Sequence, residues 1–196
     1  MAQATFYFDL GSPFAYLAAE RLHEVLPRPV SWQPVSLGGL FRLNGRSSWS
    51  LDGRDVRRAG MAEVGRRAEL YGLPPVRWPD PWPTNYLFAM RAATYASQVG
   101  AGREFAVCAF RHAFVNGRDL GAREHVLRAA AEVGLDPQSV EREVADPQLK
   151  LALRTATEAA HAIGVFGVPT IAIDGEVFWG DDRLPETAEA LRRSSR

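Results

Sequence analysis

Residues 6–17 read FYFDLGSPFAYL, an aromatic strand that runs into a Ser-Pro turn and then into a helix. Ser12 takes the position of a helix cap, and Pro13 fits the first helical position, where a missing N–H is no loss. Free backbone N–H groups and the positive end of the helix dipole meet at such a turn, which suits a bound anion or thiolate. Plain N-capping by Ser12 is the alternative interpretation, because Ser-Pro before a helix is common.

A second informative stretch lies near the other end of the chain, where residues 165–180 read VFGVPTIAIDGEVFWG. Thr170–Ile173 is typical of a short buried strand, Asp174-Gly175 of a type I′ hairpin turn, and Glu176–Trp179 of the returning strand. Pro169 stands directly before the first strand. It fits either a cis bond that shapes a turn or an ordinary trans proline at a strand start.

Together these stretches resemble the thioredoxin fold, and more narrowly its DsbA-like branch. That branch contains kappa-class glutathione transferases and 2-hydroxychromene-2-carboxylate isomerases. The resemblance is carried by FYFDLGSPFAYLA near the start and by VFGVPT and FWGDDRL near the end. It implies an α/β fold in which residues 1–36 and 161–196 form a discontinuous thioredoxin-like domain, and residues 37–160 form a large all-helical insertion.

Composition narrows the range of partners. The chain has 196 residues, 46% of them hydrophobic, which is enough for a sizeable core. Lys and Arg number 23 and Asp and Glu number 23, so the net charge is zero and neither a nucleic-acid nor a membrane partner is indicated. No apolar run approaches the roughly 18 residues of a membrane span, and the first residues do not resemble a signal peptide. These features predict a cytoplasmic protein.

The cysteine content excludes disulfide exchange. Cys108 is the only cysteine, so neither an intrachain disulfide nor a C-x-x-C pair can form. The oxidoreductases of this superfamily begin their first helix with that pair, and here residues 12–15 read SPFA instead. Cys108 lies in the apolar run FAVCAF, which favours a buried structural thiol.

Hydrophobic periodicity and the positions of proline and glycine predict the remaining elements. Strands are expected at 5–9 and 30–35. Ser36–Asp52 is rich in Gly and Ser and is predicted to be an ordered loop over a pocket. Pro75–Pro83 holds too many prolines for a regular helix. Helices are predicted at 14–25, 55–71, 86–99, 103–115, 121–133, 137–145, 148–163 and 185–193.

The resemblance also implies a site for glutathione or another small thiol. A serine at the position of Ser12 donates a hydrogen bond to the sulfur of glutathione, and this makes Ser12 the candidate catalytic residue. The backbone of Val168 and Pro169 is expected to pair with the cysteinyl part of the peptide. The acidic residue of the family's Gly-x-Asp-Arg pattern, here Asp182, is expected to bind the γ-glutamyl ammonium.

Two neighbours of Asp182 complete the set of residues expected to bind the cofactor. They are Asp181 and Arg183. Asp182 also fits a surface residue that caps the final helix. Arg183 fits equally a contact to a carboxylate and pairing with its neighbours.

Aromatic and amide side chains are the candidates for the substrate pocket. The predicted set is Phe14, Asn44, Trp49, Trp82 and Asn85, with Trp78, Tyr86 and Phe166 as further aromatic candidates. Each aromatic residue alone is also compatible with a core position. The clustering of Trp and Pro between residues 75 and 83 is the feature that indicates a pocket wall.

The activity implied by the resemblance is glutathione-dependent isomerisation of an aromatic hydroxy-carboxylate. The thiolate adds to the conjugated ring-opened form, rotation about the transient single bond follows, and elimination returns glutathione unchanged. A kappa-like transferase that conjugates the thiol to an electrophile, and a non-catalytic thiol- or peptide-binding protein, are the alternatives. Members of this family commonly form homodimers, so the resemblance implies a homodimer.

Two positions depart from the family's pattern. Ala15 stands where a second serine is frequent, and Met61 stands where a lysine is expected. Arg57, Arg58 and Arg66 are the candidates to replace the lost cation. The four histidines are His23, His112, His125 and His161. They show no metal-ligand spacing, so no metal site is predicted.

Overall fold

A computed structural model describes residues 4–194. Its sheet has four strands in the order β2-β1-β3-β4. These are β1 (Ala4–Phe8), β2 (Ser31–Pro34), β3 (Thr170–Ile173) and β4 (Glu176–Trp179). β1 pairs in parallel with β2 and antiparallel with β3, and β3 pairs antiparallel with β4. This mixed sheet brings the two ends of the sequence together, as the thioredoxin-like prediction requires.

The helices agree with the predicted ones to within about two residues at most ends. They are α1 (Pro13–Val25), α2 (Leu37–Leu43), α3 (Arg54–Leu70), α4 (Leu87–Gln98), α5 (Gly102–Phe114), α6 (Arg123–Glu132), α7 (Pro137–Ala145), α8 (Pro147–Ala162) and α9 (Leu184–Arg193). Helices α2 to α8 follow β2 and precede β3, which is the position predicted for the insertion. No helix formed by residues 4–194 combines the length and apolar character needed to cross a membrane.

The segment 36–52 differs from the predicted loop. It contains α2 and a single 3-10 turn at Trp49–Leu51. Ser36 caps α2, because its Oγ accepts a hydrogen bond from the Gly39 N–H at 3.1 Å. Two glycines at the start of this helix weaken its propensity, and the cap together with packing outweighs them.

The hairpin prediction is confirmed. Asp174 and Gly175 have φ values of +49° and +90°, as a type I′ turn requires. The Val168–Pro169 peptide bond is cis, which decides between the two interpretations of Pro169.

The sheet and the inserted helices share one core. Phe6 and Phe8 of β1 are fully buried, and the Phe8 ring lies 6.0 Å from the ring of Phe110 in α5. A smaller cluster on the opposite side of the sheet joins Val35, Leu40 and Val168. The insertion therefore packs directly on the sheet, and the cavities described below lie where the two parts meet.

Candidate functional site

Ser12 is the centre of the site. β1 ends at Phe8, a turn follows, and Ser12 caps α1 with an Oγ that accepts a hydrogen bond from the Ala15 N–H at 3.2 Å. The same Oγ donates a long hydrogen bond of 3.4 Å to the carbonyl oxygen of Val168. Ser12 is 4% exposed and lines a cavity. The N-capping interpretation is thus correct, and the hydroxyl also reaches residues 167–169, which we call the proline loop.

Asp9, which no sequence pattern singled out, fixes this turn. Its Oδ1 accepts a hydrogen bond from the Gly11 N–H at 2.8 Å, and its Oδ2 accepts one from the Leu37 N–H at 2.7 Å. One buried carboxylate therefore ties the Ser12 turn to the first residue of α2. Burial raises the pKa of Asp9 to about 6, although the two N–H donors oppose the shift.

The proline loop faces Ser12 with a free backbone group. The Gly180 N–H donates to the Pro169 carbonyl at 2.9 Å, and Thr170 Oγ1 donates to the Gly167 carbonyl at 2.7 Å. Among residues 4–194, the N–H of Val168 has no hydrogen-bond partner. Within the described part of the chain, the Val168 carbonyl receives only the long bond from Ser12. An extended peptide lying along Val168 would find both a donor and an acceptor there.

Two adjoining cavities meet at this point. The Ser12 cavity has a volume of about 260 Å³, and the Asn85 cavity beside it has about 370 Å³. They share a wall of small and apolar residues: Gly11, Leu37, Phe41, Ser48 and Ser50. Side chains of opposite charge, Arg46 and Asp52, line the Ser12 cavity. The pair of cavities can hold a small zwitterionic ligand beside a second, more apolar one.

Three aromatic residues, Phe14, Trp49 and Trp82, form what we call the aromatic wall of the Ser12 cavity. The Phe14 and Trp49 rings are 6.1 Å apart, and the Trp49 and Trp82 rings are 5.5 Å apart. Phe166, with its ring 4.9 Å from that of Trp179, lines the same cavity. The structure thus brings Phe14, Trp49, Trp82 and Phe166 to one cavity.

Other predicted pocket residues lie apart from the aromatic wall. Trp78 packs behind it, 4.6 Å from the ring of Trp82, and lines neither cavity. Asn85 and Tyr86 line the Asn85 cavity. Asn44 was predicted to line the pocket, but it lies at the end of α2, where its Nδ2 donates to the Leu40 carbonyl at 2.7 Å.

The acidic pair after β4 divides into two roles. The Asp181 side chain is 1% exposed, and it accepts hydrogen bonds from Arg67 Nη1 at 2.8 Å and from the Tyr71 hydroxyl at 2.9 Å. These bonds join the start of α9 to α3 and leave Asp181 no free oxygen aimed at a ligand. The Asp182 side chain is 56% exposed and lies 3.6 Å from Arg67, so it stays available.

Arg183 pairs with Glu186 one turn along the chain, which favours the second of its two interpretations. The candidate substitutes for the cation missing at Met61 line neither cavity. Arg58 pairs with Asp55, and Arg66 pairs with Glu63. Arg46 is the cation that the structure places in the Ser12 cavity, with its guanidinium 5.7 Å from the Phe166 ring. Sequence reasoning missed Arg46 because its position depends on how the segment after α2 folds.

Cys108 lies outside both cavities and is half-buried rather than fully buried. Its sulfur and the nearest ligand atoms of His112 and Glu132 lie within 4.8 Å of one another. The His112 Nε2 is 2.9 Å from Glu132, and the Arg118 guanidinium, which can only donate, faces His112 Nδ1 at 3.3 Å. That places the ring proton on Nε2, where a metal would need a lone pair. Burial, with Glu132 nearby, raises the pKa of the Cys108 thiol to about 11, so it stays protonated.

Comparison with known proteins agrees with this architecture. The family model described as the DSBA-like thioredoxin domain matches residues 3–192. The chain belongs to the DSBA-like thioredoxin domain family. Within this family, it is 28% identical over 187 residues to a 2-hydroxychromene-2-carboxylate isomerase of Sphingobium xenophagum, covering 91% of this chain and 92% of that protein. A protein of the same name from Pseudomonas putida is 28% identical over 207 residues, with 97% and 95% covered.

Solved structures of the DSBA-like family share the fold. A 2-hydroxychromene-2-carboxylate isomerase structure superposes with a TM-score of 0.88 at 24% identity, covering 98% of this chain and 96% of that one. A probable DsbA oxidoreductase from Streptomyces coelicolor gives a TM-score of 0.81 at 20% identity, with 100% and 90% covered. The predicted α/β thioredoxin-like fold with a helical insertion is confirmed.

Proposed function

We propose that this protein is a glutathione-dependent isomerase of the 2-hydroxychromene-2-carboxylate isomerase type, acting on an aromatic hydroxy-carboxylate. The observation that carries the proposal is the shared cavity wall. A serine hydroxyl at a helix N-terminus, a free backbone N–H and a set of aromatic rings line the Ser12 cavity, and five residues of its wall also line the neighbouring Asn85 cavity. Such a site serves a thiol on one side and a flat substrate on the other. The named relatives at 28% identity support the same class.

The groups around the Ser12 cavity fit a peptide thiol such as glutathione. Its amide groups match the free N–H and the weakly bonded carbonyl of Val168. Its carboxylates and ammonium match Arg46 on one side and Asp52 or Asp182 on the other. Arg46 thereby takes over the task of the cation missing at Met61.

The Ser12 hydroxyl can donate its hydrogen bond to either of two acceptors. Without a thiol, its hydroxyl donates to the Val168 carbonyl over a long 3.4 Å bond. With a sulfur in the cavity, the hydroxyl turns to that sulfur and leaves the Val168 carbonyl free to accept from the peptide. The positive end of the α1 dipole acts at the same point, and both effects favour the thiolate.

Bound glutathione supplies the nucleophilic thiolate for reversible addition to the conjugated substrate. The chain's own residues hold and orient the reactants. Asp9 fixes the turn that aims Ser12, and Phe41 and Tyr86, which line the Asn85 cavity, offer aromatic surface to the substrate ring and exclude water from it. No side chain of this protein needs to act as the nucleophile, consistent with a Cys108 thiol that stays protonated away from the cavity.

The proposal is tested by following the ultraviolet spectrum of 2-hydroxychromene-2-carboxylate with the purified protein, with and without glutathione. We expect conversion that requires glutathione and leaves its concentration unchanged. Loss of glutathione in proportion to product would identify a transferase instead. No turnover and no thiol binding at millimolar glutathione would overturn the proposal. The implied homodimer belongs to the same proposal and is checked by light scattering after gel filtration.

A further inference from the structure

A third cavity opens beside the substrate side of the site, between α2, α4 and α8. It has a volume of about 520 Å³ and shares Ser36, Arg42 and Leu87 with the Asn85 cavity. The Ser36 N–H donates to Thr157 Oγ1 at 2.9 Å, and this bond ties the start of α2 to α8 in the floor of the cavity. The cavity is thus a neighbour of the proposed substrate pocket, with which it shares these three lining residues.

Three helices supply cations to this cavity. Arg42 comes from α2, Arg91 from α4 and Lys150 from α8, and we call this set the basic vestibule. Arg154 also lines the cavity, but Glu158 pairs with it at 2.7 Å. Among residues 4–194, none of the three vestibule cations has a carboxylate partner.

The chain as a whole has a net charge of zero, so the basic vestibule is a local excess of positive charge. Unpaired cations that face one concave space repel each other, and the space attracts anions. Leu43, Leu87 and Leu153 provide apolar surface between the cations. An anionic group carried on a flat hydrocarbon frame matches both features, because oxyanions form charge-assisted hydrogen bonds with Arg and Lys.

We propose that the basic vestibule binds a second carboxylate of the substrate. The substrate class is therefore an aromatic acid with two carboxylates, one of them at the end remote from the reacting bond. This inference rests on the proposed function, since it places the reacting part of the substrate in the Asn85 cavity. Arg91 and Lys150 are then specificity-determining residues, because they contact the outer carboxylate and leave the thiol side untouched.

The test compares two probes that share a ring, naphthalene-2-carboxylate and naphthalene-2,6-dicarboxylate, by calorimetric titration of the full chain. We expect the dicarboxylate to bind about tenfold more tightly, which corresponds to one good charge-assisted contact. Arg91→Gln and Lys150→Gln should each remove most of this preference and leave monocarboxylate binding unchanged. Higher salt should also reduce the preference.

Matched variants give the controls. Arg103→Gln removes a cation that lines none of these three cavities and should preserve the preference. Glu158→Gln releases Arg154 from its partner and should increase the preference for the dicarboxylate. Thermal unfolding of each variant checks the fold, and Lys150, being exposed, provides a change that the fold tolerates.

Equal binding of the two probes, or equal weakening of both in Arg91→Gln and Lys150→Gln, would overturn the inference. The two proposals fail separately. A preference for the dicarboxylate that depends on the vestibule, without glutathione-dependent turnover, removes the isomerase proposal and leaves a binding site for diacids. Turnover without such a preference removes the vestibule and leaves the isomerase.

Discussion

Two parts of the candidate site are held in place by different forces. One is formed by Ser12, Asp9 and Val168, which we call the Ser12 wall, and the other is the aromatic wall. Ser12, Asp9 and Val168 are nearly buried and connected by hydrogen bonds of 2.7 to 3.4 Å that end on backbone atoms. Trp49 and Trp82 lie on segments with little regular structure and touch other rings at centroid distances of 4.6 to 6.1 Å. Hydrogen bonds are directional, whereas ring contacts tolerate several arrangements. The proposed thiol site thus depends on the sheet and α1, and the proposed substrate pocket depends on the insertion.

The largest effect should come from Ser12→Ala. Loss of the hydroxyl removes one preorganised donor to the sulfur, and we expect kcat/KM of the isomerase reaction to fall about 100-fold. Kinetics at saturating glutathione measures the change. The variant also loses the cap of α1, so its stability should fall by about 1 kcal/mol.

Asp136→Ala provides the matched control for that cap. Asp136 caps α7 through the Ser139 N–H at 3.0 Å and lies away from both cavities. Its loss should cost about 1 kcal/mol of stability and leave turnover unchanged. Equal activity losses in the two variants would mean that Ser12 acts only as a cap.

Asp181 and Asp182, the acidic pair after β4, are expected to differ in role, the first in stability and the second in ligand binding. Asp181→Asn leaves Arg67 without its buried carboxylate partner, and we expect a loss of about 2–3 kcal/mol in the free energy of unfolding. Asp182→Asn changes an exposed group and should leave stability within about 0.5 kcal/mol while weakening glutathione binding. Denaturant unfolding and calorimetry measure the two effects. The reverse pattern would assign the ligand contact to Asp181.

The wall shared by the Ser12 and Asn85 cavities can be probed at Gly11. A Cβ at this position would meet the ring of Tyr86, which lines the Asn85 cavity. Gly11→Ala should therefore cost about 1–3 kcal/mol of stability by overpacking, and it should weaken the binding of naphthalene-2-carboxylate. Gly38 lines the same cavity with open space around it, so Gly38→Ala should leave stability unchanged or raise it by up to about 1 kcal/mol. Equal unfolding free energies for the two variants would contradict the close contact.

The smallest effect concerns pH and Asp9. Its pKa in the folded chain, about 6, is above the ordinary value of 3.8. The folded chain therefore binds more protons than the unfolded chain between these values, and this contribution to stability rises as the pH falls through that window. Asp9→Asn lacks it. The stability of the wild type relative to Asp9→Asn should increase by about 1 kcal/mol from about pH 8 to about pH 5, measured by denaturant unfolding. A constant difference would mean that Asp9 titrates normally.

The sequence pointed to Ser12 and to the three residues of the aromatic wall, and the groups that it missed depend on contacts between segments far apart along the chain. The strand, the cap at Ser12 and the hairpin at Asp174 follow from local rules. Asp9 was overlooked although it stands in the decisive stretch, since its partner Leu37 is 28 residues away and lies at the start of a helix predicted as loop. Arg46 and the basic vestibule depend on how α2 packs on α8, which no local pattern contains.

We expect Ser12 and the N-terminus of α1 to stabilise a bound thiolate. The most direct measurement is the pKa of the glutathione thiol in the complex, followed by the ultraviolet absorbance of the thiolate during a pH titration of wild type and Ser12→Ala. We expect a thiol pKa at least about one unit below that of free glutathione in the wild type, shifted back towards the free value in Ser12→Ala. A bound thiol that titrates like free glutathione in the wild type would contradict it.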